Sequence, residues 1–404
     1  MGVRVRNTAL PSQFQTACNI PHSFVPFLPV TGMSVLVDGC APLACRCRIR
    51  PGSPSIYLCS EIRSADDYEL ISTNCVRILT IDDMKGFNDP ASDCALLKCA
   101  LVCLGAFSPN QILCLNPLSD ISESIQTFFN TNVPVQVEVV STSLLPQGSG
   151  MGTSSILAGC VLASISQCRG VSIPMTRLIH MVLELEQLLT TGGGFQDQAN
   201  GLVGGIKRVT CSAGAVNPVR IQWETLSLMP TTEKKLNDCL HLVYTGKTRL
   251  AKNILLQCLE RWSERTSDIC QTVSDLVEGA DAASRAVEAG DLDNLGHLIG
   301  HYWKLKKIMA GPTSGVEPSI VVEILSSLYK TGNLRGASLC GAGGGGFLVL
   351  LTKNSTPRES LVSALEADGI NTSKLKWHRV QLDKSGMIVQ QTTTDDLGIN
   401  LMER

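Results

Sequence analysis

Little in this chain is aromatic, and little of its charge is unbalanced. Phe, Trp and Tyr make up 4% of the residues, too few for the stacking platforms that hold single-stranded nucleic acid. A formal net charge of −2 at pH 7 creates no field that would draw in nucleic acid or an anionic membrane. No apolar run approaches the roughly 18 residues of a membrane span. Prolines interrupt the apolar stretch FVPFLPV, and no small-residue cleavage site follows it, so no secretory signal is read. The expectation is a cytoplasmic protein with neither nucleic acid nor membrane as partner. The chain also lacks any CxxC pair among its 17 cysteines. Cys45 and Cys47 have no histidines at zinc-finger spacing. Cys94, Cys99, Cys103 and Cys160 sit inside apolar runs, which predicts reduced, buried thiols rather than a disulfide framework.

At 404 residues the chain is long enough for two cores. Alternating polarity predicts a hairpin over 34–49 around Asp38-Gly39, and a strand over 133–143. Helices are expected at 91–106, 154–168 and 175–190, and strands near 202–210 and 219–228. A strand at 237–245 opens a second domain, followed by helical stretches at 249–288 and 291–309. A strand at 347–351, a helix at 357–367 and a strand at 375–383 precede a loose polar tail. Strands mixed with helices, without strict βαβ alternation, make this an α+β protein.

What the chain does have is glycine, concentrated where it can carry chemistry. The segment from Pro146 to Ser155 places Gly148, Gly150 and Gly152 before Thr153, Ser154 and Ser155, with Ser149 and Met151 between them. The glycines let backbone approach a ligand closely. The hydroxyls fall where a helix should begin, and a helix start offers unpaired N–H groups and partial positive charge. That combination cradles phosphate, with hydroxyls available to a phosphate-bound cation. By contrast, Gly246-Lys247-Thr248 is no P-loop, because His241 stands where that motif needs glycine.

Two acids come next. Glu186 lies near a helix end, then Gly192, Gly193 and Gly194 make a turn, then Gln196 and Asp197 follow. One acid could hold Mg²⁺, and the other could orient or deprotonate a hydroxyl nucleophile. Finally, Gly341, Ala342, Gly343, Gly344, Gly345 and Gly346 run directly into an apolar strand. Each feature alone fits a plain turn, a solvated acid or a connector. Their joint occurrence in this order is what points to nucleotide chemistry.

The same order resembles the GHMP small-molecule kinases, which include galactokinase, homoserine kinase and mevalonate kinase. The segments LPQGSGMGTSSILAG, LEQLLTTGGGFQDQ, GGIK, LNDCLHLVYTGKTRLAKN, YWKLKK and GAGGGGFLVLLTK are similar to the L-fucose kinase branch of that family. The resemblance runs from about Gly32 to Asp383. It implies an N-terminal domain like ribosomal protein S5 domain 2 over 32–235 and a ferredoxin-like C-terminal domain over 236–390, with a tail over 391–404. It implies ATP and Mg²⁺ as cofactors and L-fucose as the substrate. Pro146 to Ser155 would hold the triphosphate, Ser154 and Glu186 would hold Mg²⁺, and Asp197 would be the catalytic acid. Gly193, Gly194 and Gln196 would flank the substrate. The third glycine motif, with Gly343, Gly344 and Gly345 at its centre, would support the site from the second domain. Lys247 and Arg249 fall in a stretch typical of the branch and take no assigned role.

The chain departs from the pattern at its start. The family's early sugar-binding motif has an arginine, an aspartate and then Gly-Gly-x-x-Asp-Thr-Pro, and here that place reads HSFVPFLPVT. Residues 1–31 are therefore expected to be a replaced start, leaving the first sheet without its first strand and with an unpaired edge. Two alternatives remain open at this point: a GHMP-fold protein that binds nucleotide without turnover, and a kinase of another sugar such as a heptose.

Overall fold

The computed structural model describes residues 2–7, 30–65, 67–113, 120–146, 148–190, 194–211, 220–247 and 251–392. The chain begins with strands β1 (Gly2–Asn7), β2 (Val30–Met33) and β3 (Val35–Val37), then β4 (Leu43–Pro51), β5 (Ser55–Arg63) and β6 (Leu70–Ile78). Helices α1 (Ala95–Cys103), α2 (Pro109–Leu113) and α3 (Ser122–Phe129) lead to β7 (Val135–Ser143). Helices α4 (Thr153–Cys168), α5 (Met175–Leu188) and α6 (Gln196–Leu202) lead to β8 (Ile206–Cys211) and β9 (Ile221–Thr225). The second half opens with α7 (Pro230–Cys239) and β10 (Leu240–Tyr244), followed by α8 (Ala251–Glu264), α9 (Ser267–Ala289), α10 (Leu292–Ala310) and α11 (Ser319–Lys330). It closes with β11 (Leu334–Leu339), β12 (Phe347–Thr352), α12 (Arg358–Ala367), β13 (Lys376–Leu382) and β14 (Ile388–Thr392).

Three sheets result. The first has the order β14-β1-β4-β7-β5-β6, the second β11-β12-β10-β13-β3, and the third β2-β8-β9. All pairings are antiparallel except β5 with β7. Parallel neighbours need a long crossover, and α1 to α3 supply it. Along β7, Val135, Val137 and Val139 are buried while Gln136 is exposed, as an amphipathic strand should be. Helix α4 lies across this sheet on β4 and β1. It buries Ile156, Cys160, Val161 and Ile165. Gly159 gives α6 room to approach it, since a Cβ there would lie 2.6 Å from Leu202 Cδ2. In the second sheet every residue of β12 is buried, and α10 packs on its neighbour β11. No helix among the described residues is long and apolar enough to cross a membrane.

Several expectations need correction. The first sheet does not lack its first strand: Gly2–Asn7, an alternating Val-Arg sequence, pairs along β4 from Gly2 opposite Arg48 to Asn7 opposite Leu43. Its other edge pairs with β14, which includes Gln391 and Thr392 from the expected loose tail. The place of the early sugar motif falls almost wholly in residues 8–29, outside the described residues. The hairpin over 34–49 has its turn but not its ladder. Asp38 and Gly39 both have positive φ (52° and 77°), yet β3 pairs with β13 and β4 with β1 and β7. The Asp38 carboxylate explains the switch of sheet: it accepts hydrogen bonds from Arg379 N at 2.8 Å and binds His378 Nδ1 at 2.7 Å, both on β13.

Asn237 to Cys239 end a helix rather than open a strand, because Leu236 and Cys239 are buried on one face of α7. The long helical stretch at 249–288 is broken at Arg265, whose φ is +54°. Not all thiols are free: Cys59 and Cys75, opposite one another on β5 and β6, form a disulfide.

Candidate active site

The loop leaving β7 and the loop entering β12 are packed backbone to backbone. A Cβ on Gly150 would lie 2.7 Å from the carbonyl oxygen of Cys340, and a Cβ on Gly341 would lie 2.7 Å from Gly150 Cα. Only glycine permits that approach, and both residues have positive φ. The loops are also hydrogen-bonded: Phe347 N donates to Ser149 O at 3.0 Å. Ser149 is buried, and its hydroxyl lies 2.9 Å from that of Thr153.

The third glycine motif divides in two. Its ends, Gly341 and Gly346, meet the loop at Ser149 and Gly150, and a Cβ on Gly346 would lie 2.4 Å from Ser149 O. Its centre, where the support was expected, turns away from that loop. A Cβ on Gly343 would lie 2.6 Å from Val316 Cγ2, and a Cβ on Gly345, whose φ is +145°, would lie 2.6 Å from Lys247 O. Gly344 N donates to Val316 O at 2.6 Å, and Gly346 N donates to Lys247 O at 2.7 Å. Gly343, Gly344 and Gly345 therefore brace the motif against Val316 and Lys247. Lys247 meets the site through its backbone. Arg249 lies outside the described residues, as does Gly193, while Gly194 and Gln196 lead into α6.

Helix α4 starts at Gly152, whose φ is +65° and which makes no side-chain cap. The first-turn N–H groups are therefore left for an outside acceptor. Asp197, in the first turn of α6, presses against this point: a Cβ on Gly152 would lie 2.8 Å from Asp197 Cγ. Asp197 Oδ1 is enclosed and has no hydrogen-bond partner among the described residues.

Glu186 is buried near the end of α5 and accepts a hydrogen bond from the Ser155 hydroxyl. Ser154, expected beside Glu186, is exposed instead. Consecutive helical residues point about 100° apart, so the hydroxyl that meets Glu186 is one residue further along. Burial pushes the Glu186 carboxyl up to about 8; the Ser155 hydrogen bond opposes that and the Asp197 charge adds to it. Burial likewise pushes the Asp197 carboxyl up to about 7, against the pull of the Lys306 ammonium.

Of the three buried lysines among the described residues, two that bear on this site escaped the sequence reading. Lys207 is 0% exposed. Its ammonium donates to Asn200 O at 2.7 Å, Gly205 O at 2.9 Å and Val203 O, closing the C-terminal end of the helix that carries Asp197. Lys306 is 7% exposed and donates to the carbonyl of Gly341. Its signal in the sequence was periodicity: it falls in the inward stripe of α10 with Ile299, Tyr302, Trp303 and Met309.

Acids of this kind suit a small, hard cation. Mg²⁺ uses one or two carboxylates together with substrate phosphates rather than a protein cage. Among the described residues no group of three or more His, Cys, Asp and Glu could form such a cage. Two adjacent acids with raised carboxyls beside an open helix start fit an Mg²⁺–phosphate pair.

The chain matches GHMP kinases N terminal domain over residues 120–205 and GHMP kinases C terminal over residues 283–371. The chain thus carries the N- and C-terminal domains of the GHMP kinases at these positions. It is 33% identical over 277 residues to the L-fucokinase/L-fucose-1-P guanylyltransferase of Bacteroides fragilis, a match covering 69% of this chain and 28% of that protein. It is 33% identical over 224 residues to the bifunctional fucokinase/GDP-fucose pyrophosphorylase of Arabidopsis thaliana, covering 55% of this chain and 20% of that protein. The chain thus spans less than a third of the length of these two relatives. It is 27% identical over 251 residues to the D-glycero-alpha-D-manno-heptose 7-phosphate kinase of Campylobacter jejuni, covering 59% of this chain and 67% of that protein. Among solved structures, a D-glycero-D-manno-heptose 1-phosphate kinase from Bacteroides thetaiotaomicron superposes with a TM-score of 0.63 at 15% identity, over 97% of this chain and 100% of that one. The galactokinase of Lactococcus lactis gives a TM-score of 0.61 at 14% identity, over 96% and 95%. The fold is that of the GHMP kinases.

Proposed function

We propose that this chain is an ATP-dependent sugar kinase that transfers the γ-phosphoryl group of ATP to the anomeric hydroxyl of L-fucose, giving β-L-fucose 1-phosphate. The carrying observation is the enclosed, unpartnered Asp197 Oδ1 pressed against Gly152 at the start of α4. A carboxylate there stands beside a phosphate-binding helix start and can accept the hydroxyl proton of an acceptor sugar. Phosphoryl transfer asks the protein mainly to position reactants and neutralise charge. In this reading the N–H groups after Gly152 hold the phosphates. Glu186, with Ser154 and Ser155, would hold Mg²⁺, which neutralises phosphate charge when bound. L-fucose as acceptor is supported by the two fucokinase relatives, each 33% identical to this chain.

A heptose acceptor is the second reading, favoured by the Campylobacter jejuni relative, of which the chain covers 67%. The test is ATP consumption by the purified chain with Mg²⁺, with and without L-fucose or a heptose phosphate, beside Asp197→Asn. Fucose-dependent turnover that disappears in the variant supports the proposal. Turnover only with the heptose selects the second reading. Nucleotide binding with no sugar-dependent turnover overturns both in favour of a binding protein.

A further inference from the structure

Three segments far apart in the chain are joined by a closed ring of backbone hydrogen bonds. Ser34 N donates to Gly205 O at 3.0 Å, Gly205 N donates to Asp383 O at 2.7 Å, and Asp383 N donates to Ser34 O at 2.9 Å. Each segment is a point where the chain enters a new sheet. Ser34 separates β2 of the third sheet from β3 of the second. Asp383 follows β13 of the second sheet and leads to β14 of the first. Gly205 stands between α6 and β8 of the third sheet. All three sheets are tied at this one ring, and no member of it can shift without straining the other two.

The buried Asp383 side chain locks the ring. Its Oδ2 accepts from the Ser34 hydroxyl at 3.1 Å and from Gly386 N at 3.1 Å, and its Oδ1 accepts from Ser385 N at 2.9 Å. An aspartate bonded to the backbone just beyond it folds a tight turn. That turn sits on the end of α6. Met387 N donates to Leu202 O at 3.0 Å. A Cβ on Gly204 would overlap Lys384 O, and a Cβ on Gly386 would overlap Gly204 N, so the two loops meet with no side chain between them. The other side of the turn is held by α7: Leu382 N donates to Asn237 Oδ1 at 2.9 Å, and Lys384 pairs with Glu233 at 2.7 Å.

We propose that Asp383 is a positioning residue for Asp197: it closes the ring at which the three sheets meet, and the ring fixes the end of the helix that presents the acid to the start of α4. Asp197 and Leu202 stand at the two ends of α6, about 8 Å apart along its axis. Asp197 meets Gly152, Leu202 packs against Gly159, and the Leu202 carbonyl is bonded to the Asp383 turn. So short a helix moves as one body, and a shift where it meets the ring is a shift of the acid. A misplacement of about 1 Å at a reacting centre costs on the order of 100-fold in rate. The catalytic consequence rests on the kinase reading, whereas the anchoring of α6 does not.

The experiment uses the full chain with Asp383→Ala, Asp383→Asn and Ser34→Ala, beside Lys384→Ala as a control in the same turn. With sugar and MgATP, Asp383→Ala is expected to lower kcat on the order of 10- to 100-fold. KM for ATP should change far less, because the loop at Gly150 is held by the loop at Gly341. Asp383→Asn keeps one acceptor oxygen for the turn and should lie between Asp383→Ala and the unaltered chain. Ser34→Ala removes a single bond to the carboxylate and gives a milder loss in the same direction, which keeps the test open if Asp383→Ala does not fold. Lys384→Ala should leave kcat unchanged. The second readout needs no turnover: amide exchange should quicken in residues 196–202 of Asp383→Ala and Ser34→Ala and stay unchanged in β12. Exchange unchanged in α6, or quickened equally in α6 and β12, would overturn the anchoring. Quickened exchange in α6 with unaltered kcat would overturn the positioning role. If the unaltered chain has no sugar-dependent turnover, the kinase reading fails, and exchange alone still decides whether the ring holds α6.

Discussion

Gly152 and Asp197 are in contact so close that the loop residue cannot carry a side chain: a Cβ at Gly152 would sit 2.8 Å from Asp197 Cγ and 3.0 Å from Oδ1. The loop that would hold phosphate and the acid that would receive the sugar proton therefore set each other's position. Gly152→Ala must displace one of them and also adopts a φ of +65°. The expected outcome is a loss of turnover of about 100-fold, with a stability cost of about 1–2 kcal/mol from the left-handed backbone. Parallel melting and ATP-consumption assays check this, and unaltered turnover would show that the contact does not matter.

The two acids predict a pH dependence of stability with a definite sign. Both hold their protons more tightly folded than unfolded: Asp197 rises from 3.8 to about 7, Glu186 from 4.5 to about 8. Their contribution is fully present below the unfolded values and is lost as pH rises through the folded ones. Stability from these groups should therefore fall between about pH 4 and pH 8. Asp197→Asn and Glu186→Gln should each flatten the fall and melt higher than the unaltered chain at pH 8, by on the order of 1 kcal/mol or more. At pH 4 the gap should nearly close. Melting curves across this range test it, and a constant gap at all pH values would refute it.

Ser154 and Ser155 should separate in function. Ser155 donates to Glu186 and is buried, while Ser154 is exposed at the first turn of α4. Ser155→Ala removes the bond that favours the ionised Glu186, so the Mg²⁺ concentration needed for half-maximal turnover should rise, and more so at lower pH. Ser154→Ala should weaken MgATP binding with little change in stability. Isothermal titration with MgATP and melting of both variants distinguish them; identical behaviour would mean that one hydroxyl does both jobs.

Lys207→Met is expected to be strongly destabilising although it touches no proposed ligand. It strips Asn200 O and Val203 O at the end of α6 of their donor, while Gly205 O keeps the Ser34 N–H, and buried unsatisfied acceptors cost about 1–3 kcal/mol each. The helix carrying Asp197 should loosen with it. A fall in the melting transition together with faster amide exchange in residues 196–202 would confirm the coupling. Exchange that is unchanged would confine Lys207 to a role in global stability.

Much of this site was legible along the chain because its motifs are local. Glycines at fixed spacing before hydroxyls announce a phosphate loop, and β7 and α4 fall within a few residues of where polarity alternation and helical period put them. The family resemblance then ordered the motifs into one site. Neither local pattern could show that Ser155 rather than Ser154 meets Glu186, since that depends on how α4 is rotated against α5. Nor could either show that Gly341 and Gly346 pack against the loop at Ser149 and Gly150 while Gly343 packs against Val316. Lys306 stayed hidden as well, one of several lysines in YWKLKK until packing turns it inward.

Local sequence determined the strand-loop-helix unit at Val135–Cys168, the acid in the first turn of α6 and the glycine loop that feeds β12, because turn chemistry and side-chain period act over a few residues. Tertiary structure alone decided three things: that β3 and β4 join different sheets across one tight turn, that Gly150 and Gly341 meet, and that Lys306 turns inward onto the Gly341 carbonyl. Each depends on contacts between residues far apart in the chain, and no local pattern encodes which distant partner will cover a given face.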